Sequence, residues 1–175
     1  QRLGPFHVVR ALPPGGMADL YLVHTPPEPA EGAPARGEPL RGEPRVLKVV
    51  QTRFRDNARV AAMLRDEALI GRMLRHRNLV RVLEAGELEG VGPYLLMAFI
   101  PGRDLVGLLR RCMEKRLPFP RDLGVHVCAE VARGLAHAHE LHDEHSPLEI
   151  VHCDVSPGNV MISPRLVRNL TRLPS

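Results

Sequence analysis

The run IVHCDVSPGNVMIS, residues 150–163, sets His152, Asp154, Pro157 and Asn159 between two apolar stretches. Asp154 can accept a proton from an attacking hydroxyl, or orient that hydroxyl. Asn159 offers an amide oxygen, a hard ligand suited to Mg2+. Pro157 stiffens the connection between them, and His152 can brace the loop by hydrogen bonding. A solvated turn with an Asx cap would use the same residue types, so the run gains its meaning from what accompanies it.

Lys48 is the next candidate. It stands inside the apolar run VLKVV, and burying an ammonium without a partner is costly. Its bland reading is a lysine on an edge strand, pointing to solvent. Its chemical reading needs an acid to pair with and an anion to hold. The following segment LRDEAL supplies Asp66 and Glu67, and a helix packed across a sheet could aim Glu67 back at the strand. A third feature is the turn LPPGGMAD, where Gly15 and Gly16 would let backbone N–H groups approach phosphates. An ordinary hairpin loop has the same composition.

These residues must be positioned by regular elements. Residues 6–11 and 20–23 read as two strands joined by that turn, a hairpin. Residues 24–44 are rich in Pro, Gly, Glu, Ala and Arg, with almost nothing to bury, and read as a flexible insert between strands. Residues 45–51 form a third strand. Val60, Met63, Leu64, Ala68, Leu69, Met73 and Leu74 recur near helical spacing and predict a helix over 56–75. Strands follow near 79–88 and over 93–100, the latter a continuous apolar run. Asp104 is placed to cap a helix reaching Lys115. A longer helix spans 121–142, with Leu123, Val127, Val131, Leu135 and Ala138 on its inner face. Strands with one helix, then helices, predict an α+β fold in two unequal lobes.

Composition removes several classes. The chain has 175 residues, enough for one domain with a core, and 44% hydrophobic residues. Aromatics make up only 3%, with no Trp, so the core must be aliphatic and a base-stacking nucleic-acid surface is not expected. The net charge of +4 reads as a mildly basic surface. Cys112, Cys128 and Cys153 are odd in number and lack CxxC spacing, which fits a reducing, cytoplasmic compartment. No apolar run approaches the ~20 residues of a membrane span. His137, His139, His142 and His145 cluster, but not as HExxH, and read as a solvated helix end where imidazolium suits the dipole.

Together the motifs resemble the protein kinase family, specifically bacterial serine/threonine kinases. GGMADLYL is similar to the end of the glycine-rich loop and the second strand. VLKVV looks like the third-strand lysine motif, which implies that Lys48 holds ATP phosphates with Glu67 as its helix partner. RDEALIGRMLRHRNLVRV resembles the C-helix and the His-x-Asn segment after it. YLLMAFIPGRDL resembles the last N-lobe strand and hinge. HCDVSPGN matches the catalytic loop at His152, Asp154, Pro157 and Asn159. The resemblance implies a kinase-like fold, with an antiparallel N-lobe sheet plus C-helix and an incomplete helical C-lobe. It implies an N-lobe and hinge over 1–100, a partial C-lobe over 101–163, and a tail outside the family pattern over 164–175.

The implied activity is transfer of the ATP γ-phosphoryl group to protein Ser or Thr hydroxyls, with ATP and Mg2+ as cofactors. The implied nucleotide contacts are Leu12, Gly15, Gly16, Leu20, Lys48, Met97 as gatekeeper, Ala98 and Ile100 in the hinge, and Asp104 beside the ribose. Asp154, Lys48, Glu67 and His152 are the implied catalytic set, with Asn159 as metal ligand.

The sequence departs from the family pattern at Pro13 and Ala18 in the glycine-rich loop, and at Cys153 and Ser156 in the catalytic loop. No Asp follows Asp154, so the Asp-Phe-Gly motif is not present, and the chain opens on Gln rather than Met. Both features read as a fragment, and loss of later helices would leave Val127, Val131 and Leu135 exposed. Two alternatives stay open: a pseudokinase-like nucleotide-binding module, and a small-molecule kinase of the aminoglycoside and choline type, whose loop has a similar pattern.

Overall fold

The structure is a computed structural model that describes residues 2–13, 15–25, 42–143 and 146–164. Most of the proline-rich insert, the tail beyond 164 and His145 lie outside the described residues. The chain divides into two compact units. The first is Gln1–Arg75 with Val80–Phe99, and the second is His76–Leu79 with Ile100–Ser175.

The first unit is built on a six-stranded antiparallel sheet. Its strands are β1 (Arg2–Leu3), β2 (Phe6–Ala11), β3 (Ala18–His24), β4 (Pro44–Val50), β5 (Val82–Leu88) and β6 (Gly92–Ala98). Their order is β1-β2-β3-β4-β6-β5. Side chains alternate across the sheet. Leu47 and Val49 of β4 join Phe6, Val23, Leu88, Tyr94 and Leu96 on one face. Val50 of β4 and Leu95 of β6 turn to the other face, where Val60, Leu64 and Ala68 of the helix α1 (Ala58–Met73) cover them. Leu47, Leu95 and Val23 are fully buried. Phe6 and Tyr94 meet edge to face at 5.3 Å, the ring pair of an otherwise aliphatic core.

Several boundaries differ from the sequence expectation. Helix α1 begins at Ala58, not 56, because the Asn57 side chain accepts hydrogen bonds from the N–H groups of Arg59 and Val60. It ends at Met73, with Leu74 extended. The strand expected from 79 starts only at Val82, since Leu79 N–H turns back to the His76 carbonyl. The strand expected to reach 100 ends at Ala98. Lys48 also does not sit on an edge: β4 is flanked by β3 and β6.

The second unit holds α2 (Leu105–Glu114) and α3 (Arg121–His139), with β7 (Arg103–Asp104) paired to β8 (Met161–Ile162). Helix α3 stops at His139, three residues before the expected end; Glu140 caps it through the Ala136 and Ala138 carbonyls. Val127 is buried at 5% exposure, and Val131 and Leu135 are half-buried rather than exposed. The segment 76–79 supplies cover: Leu79 and Asn78 lie against Gly134, and the His76 and His137 rings stack at 5.2 Å.

Candidate active site

Two constellations carry the chemistry, one in each unit. In the first unit, Lys48 sits mid-strand in β4, opposite Leu20 of β3 and Leu95 of β6. Its place in the alternation puts it on the face that α1 covers. From α1, Glu67 reaches the same point. Lys48 Nζ donates to Glu67 Oε1 at 2.7 Å and to Oε2 at 2.6 Å. The pair is accessible, with 25% of the lysine side chain and 46% of the glutamate side chain exposed. Asp66, the other acid of the segment, is exposed and has no such partner among the described residues. Gly71 allows the close packing of α1, since a Cβ there would fall 2.5 Å from Val82 Cγ2.

The glycine turn lies at the start of β3. Leu12 N–H donates to the Leu20 carbonyl, which closes the hairpin, and Gly15 N–H donates to the Ala18 carbonyl. Gly15 and Gly16 are exposed; Leu12 and Leu20 are half-buried. Met97 and Ala98 end β6, half-buried, and Ala98 N–H is spent on the Arg81 carbonyl.

In the second unit, a 3-10 turn over Pro157–Asn159 closes the loop. Asp154 N–H donates to the His152 carbonyl at 2.8 Å and to His152 Nδ1 at 3.2 Å. Asn159 Nδ2 donates to the Asp154 carbonyl at 3.0 Å and to Asp154 Oδ2 at 2.9 Å. The amide nitrogen is thereby committed, and among the described residues Asn159 Oδ1 and Asp154 Oδ1 have no donor. Cys153 adopts a left-handed φ of 58°, which turns the chain between His152 and Asp154.

The loop is anchored through β8, which pairs with β7, and through Leu105 N–H, which donates to the Val160 carbonyl. At Gly102 a Cβ would stand 2.1 Å from the Ile162 carbonyl oxygen, so the strand pair requires glycine there. Asp104 caps α2 by accepting from Gly107 N–H at 2.6 Å, and it is half-buried like Ile100.

Sequence reasoning missed one charged cluster. Glu130 of α3 is buried at 7% exposure. Arg77 Nη2 donates to its carboxylate at 2.6 Å, Arg133 bonds its other oxygen, and Asn78 Nδ2 donates to its carbonyl at 2.8 Å. The Arg77 hydrogen bond holds the carboxyl down to about 2 although burial pulls it upward. The signal was present in the HRN of 76–78, but its acidic partner lies 53 positions away. Among the described residues no group of three or more His, Cys, Asp or Glu is arranged to hold a metal ion.

The protein kinase domain family matches residues 38–170. The tyrosine-protein kinase MasK of Myxococcus xanthus is 34% identical over 164 residues, 93% of this chain and 24% of the relative. The serine/threonine-protein kinase PknF of Mycobacterium tuberculosis is 30% identical over 158 residues, 90% of this chain and 28% of the relative. The chain thus spans about a quarter of the length of these curated relatives. The crystal structure of the Mycobacterium tuberculosis PknI kinase domain aligns with a TM-score of 0.65 at 23% identity, covering 94% of this chain and 58% of that one. That likeness is one of fold.

Proposed function

The chain belongs to the protein kinase domain family, and from that premise we propose that it serves transfer of the ATP γ-phosphoryl group to a protein hydroxyl. The carrying observation is the two-bonded Lys48–Glu67 pair, which holds an accessible ammonium mid-sheet and leaves its third N–H donor for a further acceptor. Lys48 would bind α- and β-phosphate oxygens, with Glu67 fixing its direction. The glycine turn presents backbone donors of the right kind for phosphate. Leu12, Leu20, Met97, Ala98 and Ile100 would contact the base and Asp104 the ribose.

The donor set also fits a hard cation. Asn159 Oδ1 is a hard oxygen ligand, and the Asn159 amide is held with its nitrogen already bonded. Mg2+, when bound, neutralises phosphate charge. Asp154 would orient the acceptor hydroxyl and take its proton as the oxygen–phosphorus bond forms and the bond to ADP breaks. His152, through Nδ1, fixes the backbone of Asp154. Ser156 stands where the family carries a lysine, so one transition-state charge contact is missing and a slow turnover is expected.

Serine and threonine are the assigned acceptors, and relatives named for both serine/threonine and tyrosine make the acceptor a matter for direct test. Among the described residues no helix is long and apolar enough to cross a membrane. Free Cys112, Cys128 and Cys153 are consistent with a reducing compartment such as the cytoplasm. The test is incubation of the chain with labelled ATP and Mg2+ and a mixed protein and peptide acceptor set, followed by phosphoamino acid analysis. Label on serine or threonine that Asp154→Ala abolishes is the expected result. Nucleotide binding with no transfer would replace this reading with a nucleotide-binding regulatory module. Label on an aminoglycoside instead would replace it with a small-molecule kinase.

A further inference from the structure

The turn that faces the phosphates in this reading departs from a glycine-rich pattern at Pro13 and Ala18, which raises the question of what shapes it. The answer lies just past Lys48, at Gln51 and Arg53. Gln51 Nε2 donates to the Gly15 carbonyl at 3.1 Å and to the Ala18 carbonyl at 3.5 Å. Gln51 N–H donates to the Met17 carbonyl at 3.0 Å. Arg53 Nη2 donates to the Gly16 carbonyl at 3.3 Å, and Arg53 Nε donates to Gln51 Oε1 at 2.9 Å. All four carbonyls from Gly15 to Ala18 are therefore held by two consecutive-but-one residues that are themselves bonded to each other.

Holding those carbonyls has a consequence for the amides. A carbonyl oxygen turned toward a polyphosphate would repel it, whereas an N–H turned toward it attracts. Among the described residues the N–H groups of Gly16 and Met17 have no acceptor, and both residues are exposed. Among the described residues, and apart from its two chain neighbours, Gly16 has no atom within 4 Å of where a Cβ would stand, so there is open space beside it. The Arg53 guanidinium is further fixed by stacking over the Phe54 ring, 4.7 Å from its centroid. A turn built with few glycines is thus restrained from outside by Gln51 and Arg53, in the segment that directly follows the strand carrying Lys48.

We propose that Gln51 and Arg53 are positioning residues for nucleotide polyphosphate, acting by tethering the carbonyls of the 15–18 turn so that its amides stay free for phosphate oxygens. This rests on the nucleotide-binding reading given above. The device differs from Lys48, which would touch phosphate itself. It ties the shape of the turn to the 3-10 turn that follows β4.

The test compares ADP and adenosine, each with Mg2+, by calorimetry on the intact chain and on Gln51→Ala, Arg53→Ala and Arg53→Lys. Loss of tethering bonds predicts roughly a tenfold fall in ADP affinity for Gln51→Ala, and a smaller fall for Arg53→Ala. Adenosine, which has no phosphate, should bind all variants as it binds the parent, and Arg53→Lys should recover most of the ADP affinity. Amide exchange at residues 15–18 should quicken in Gln51→Ala. Arg53 is exposed, so its variants test the idea even where Gln51→Ala fails to fold. Unchanged ADP affinity in both alanine variants overturns the proposal, as does an equal loss for ADP and adenosine. If the parent chain binds neither ligand, the nucleotide-binding reading fails first and the tether loses its purpose.

Discussion

Lys48 donates two hydrogen bonds to Glu67 while a quarter and nearly half of their side chains remain exposed. An ion pair so open to water contributes little to stability, under about 1 kcal/mol. A phosphate contact from the same ammonium is charge-assisted on both sides and worth about 1.5–3 kcal/mol. The two magnitudes separate the structural role from the functional one. Lys48→Met should move the melting temperature by less than about 4 °C, yet lower ADP affinity by about tenfold or more. A thermal melt and a calorimetric titration on one sample decide it. A large fall in melting temperature with unchanged ADP affinity would make Lys48 a structural lysine. At Asn159 the committed Nδ2 leaves Oδ1 for a cation, so Asn159→Asp should alter the dependence of binding on Mg2+ far more than it alters the fold, read as nucleotide affinity against Mg2+ concentration.

Helix α1 delivers Glu67, and its distance from the sheet is set where Gly71 meets Val82. In an isolated helix Gly→Ala gains about 1 kcal/mol. Here the added methyl would stand 2.5 Å from a β-branched side chain that has little rotamer freedom, and overpacking costs about 1–3 kcal/mol. The clash should win, so Gly71→Ala is expected to destabilise by about 1 kcal/mol in urea unfolding and to weaken ADP binding by displacing Glu67. Val82→Ala in the same chain should restore both.

Elements of this kind were legible to different degrees. The apolar run VLKVV and the 3.6-residue recurrence of Val60, Leu64 and Ala68 are local patterns, so β4 and α1 could be read ahead of the structure, whereas the choice of Glu67 over Asp66 as the partner of Lys48 rests on the family resemblance. The ends of α1 depend on one side-chain cap at Asn57. The pairing of β7 with β8 joins residues far apart in the chain over two positions each, too short for any periodicity. Glu130 was invisible for a related reason: an acid on a helix ordinarily reads as solvated, and only its distant partners mark it as buried.

At the scale of the whole molecule, that buried acid makes the protein's stability depend on pH. The segment His76–Leu79 stands in sequence between α1 and β5, yet belongs with α3. Arg77 and Asn78 fasten it there, on the carboxylate and the carbonyl of Glu130, with Arg133 on the remaining oxygen. The Glu130 carboxyl is held down to about 2 in the folded protein, against an ordinary 4.5, first by the hydrogen bond from Arg77. A depressed carboxyl stabilises the fold fully above its unfolded value and loses that contribution as pH falls toward its folded value. Between about pH 4.5 and 2, therefore, stability should decline in step with Glu130 protonation.

Glu130→Gln removes this titration while keeping the size of the side chain and an acceptor for Arg77. Its melting temperature should lie below that of the parent at pH 7, and the two curves should converge as pH drops toward 3. Arg77→Ala should show the same convergence, because it removes the largest cause of the depression. Parallel curves, with a constant gap between parent and Glu130→Gln from pH 7 to 3, would mean that the carboxylate charge contributes nothing and that Glu130 acts by shape alone. The convergence is specific to a paired, buried carboxylate, since an exposed glutamate would titrate at nearly the same pH folded and unfolded and leave no slope to lose.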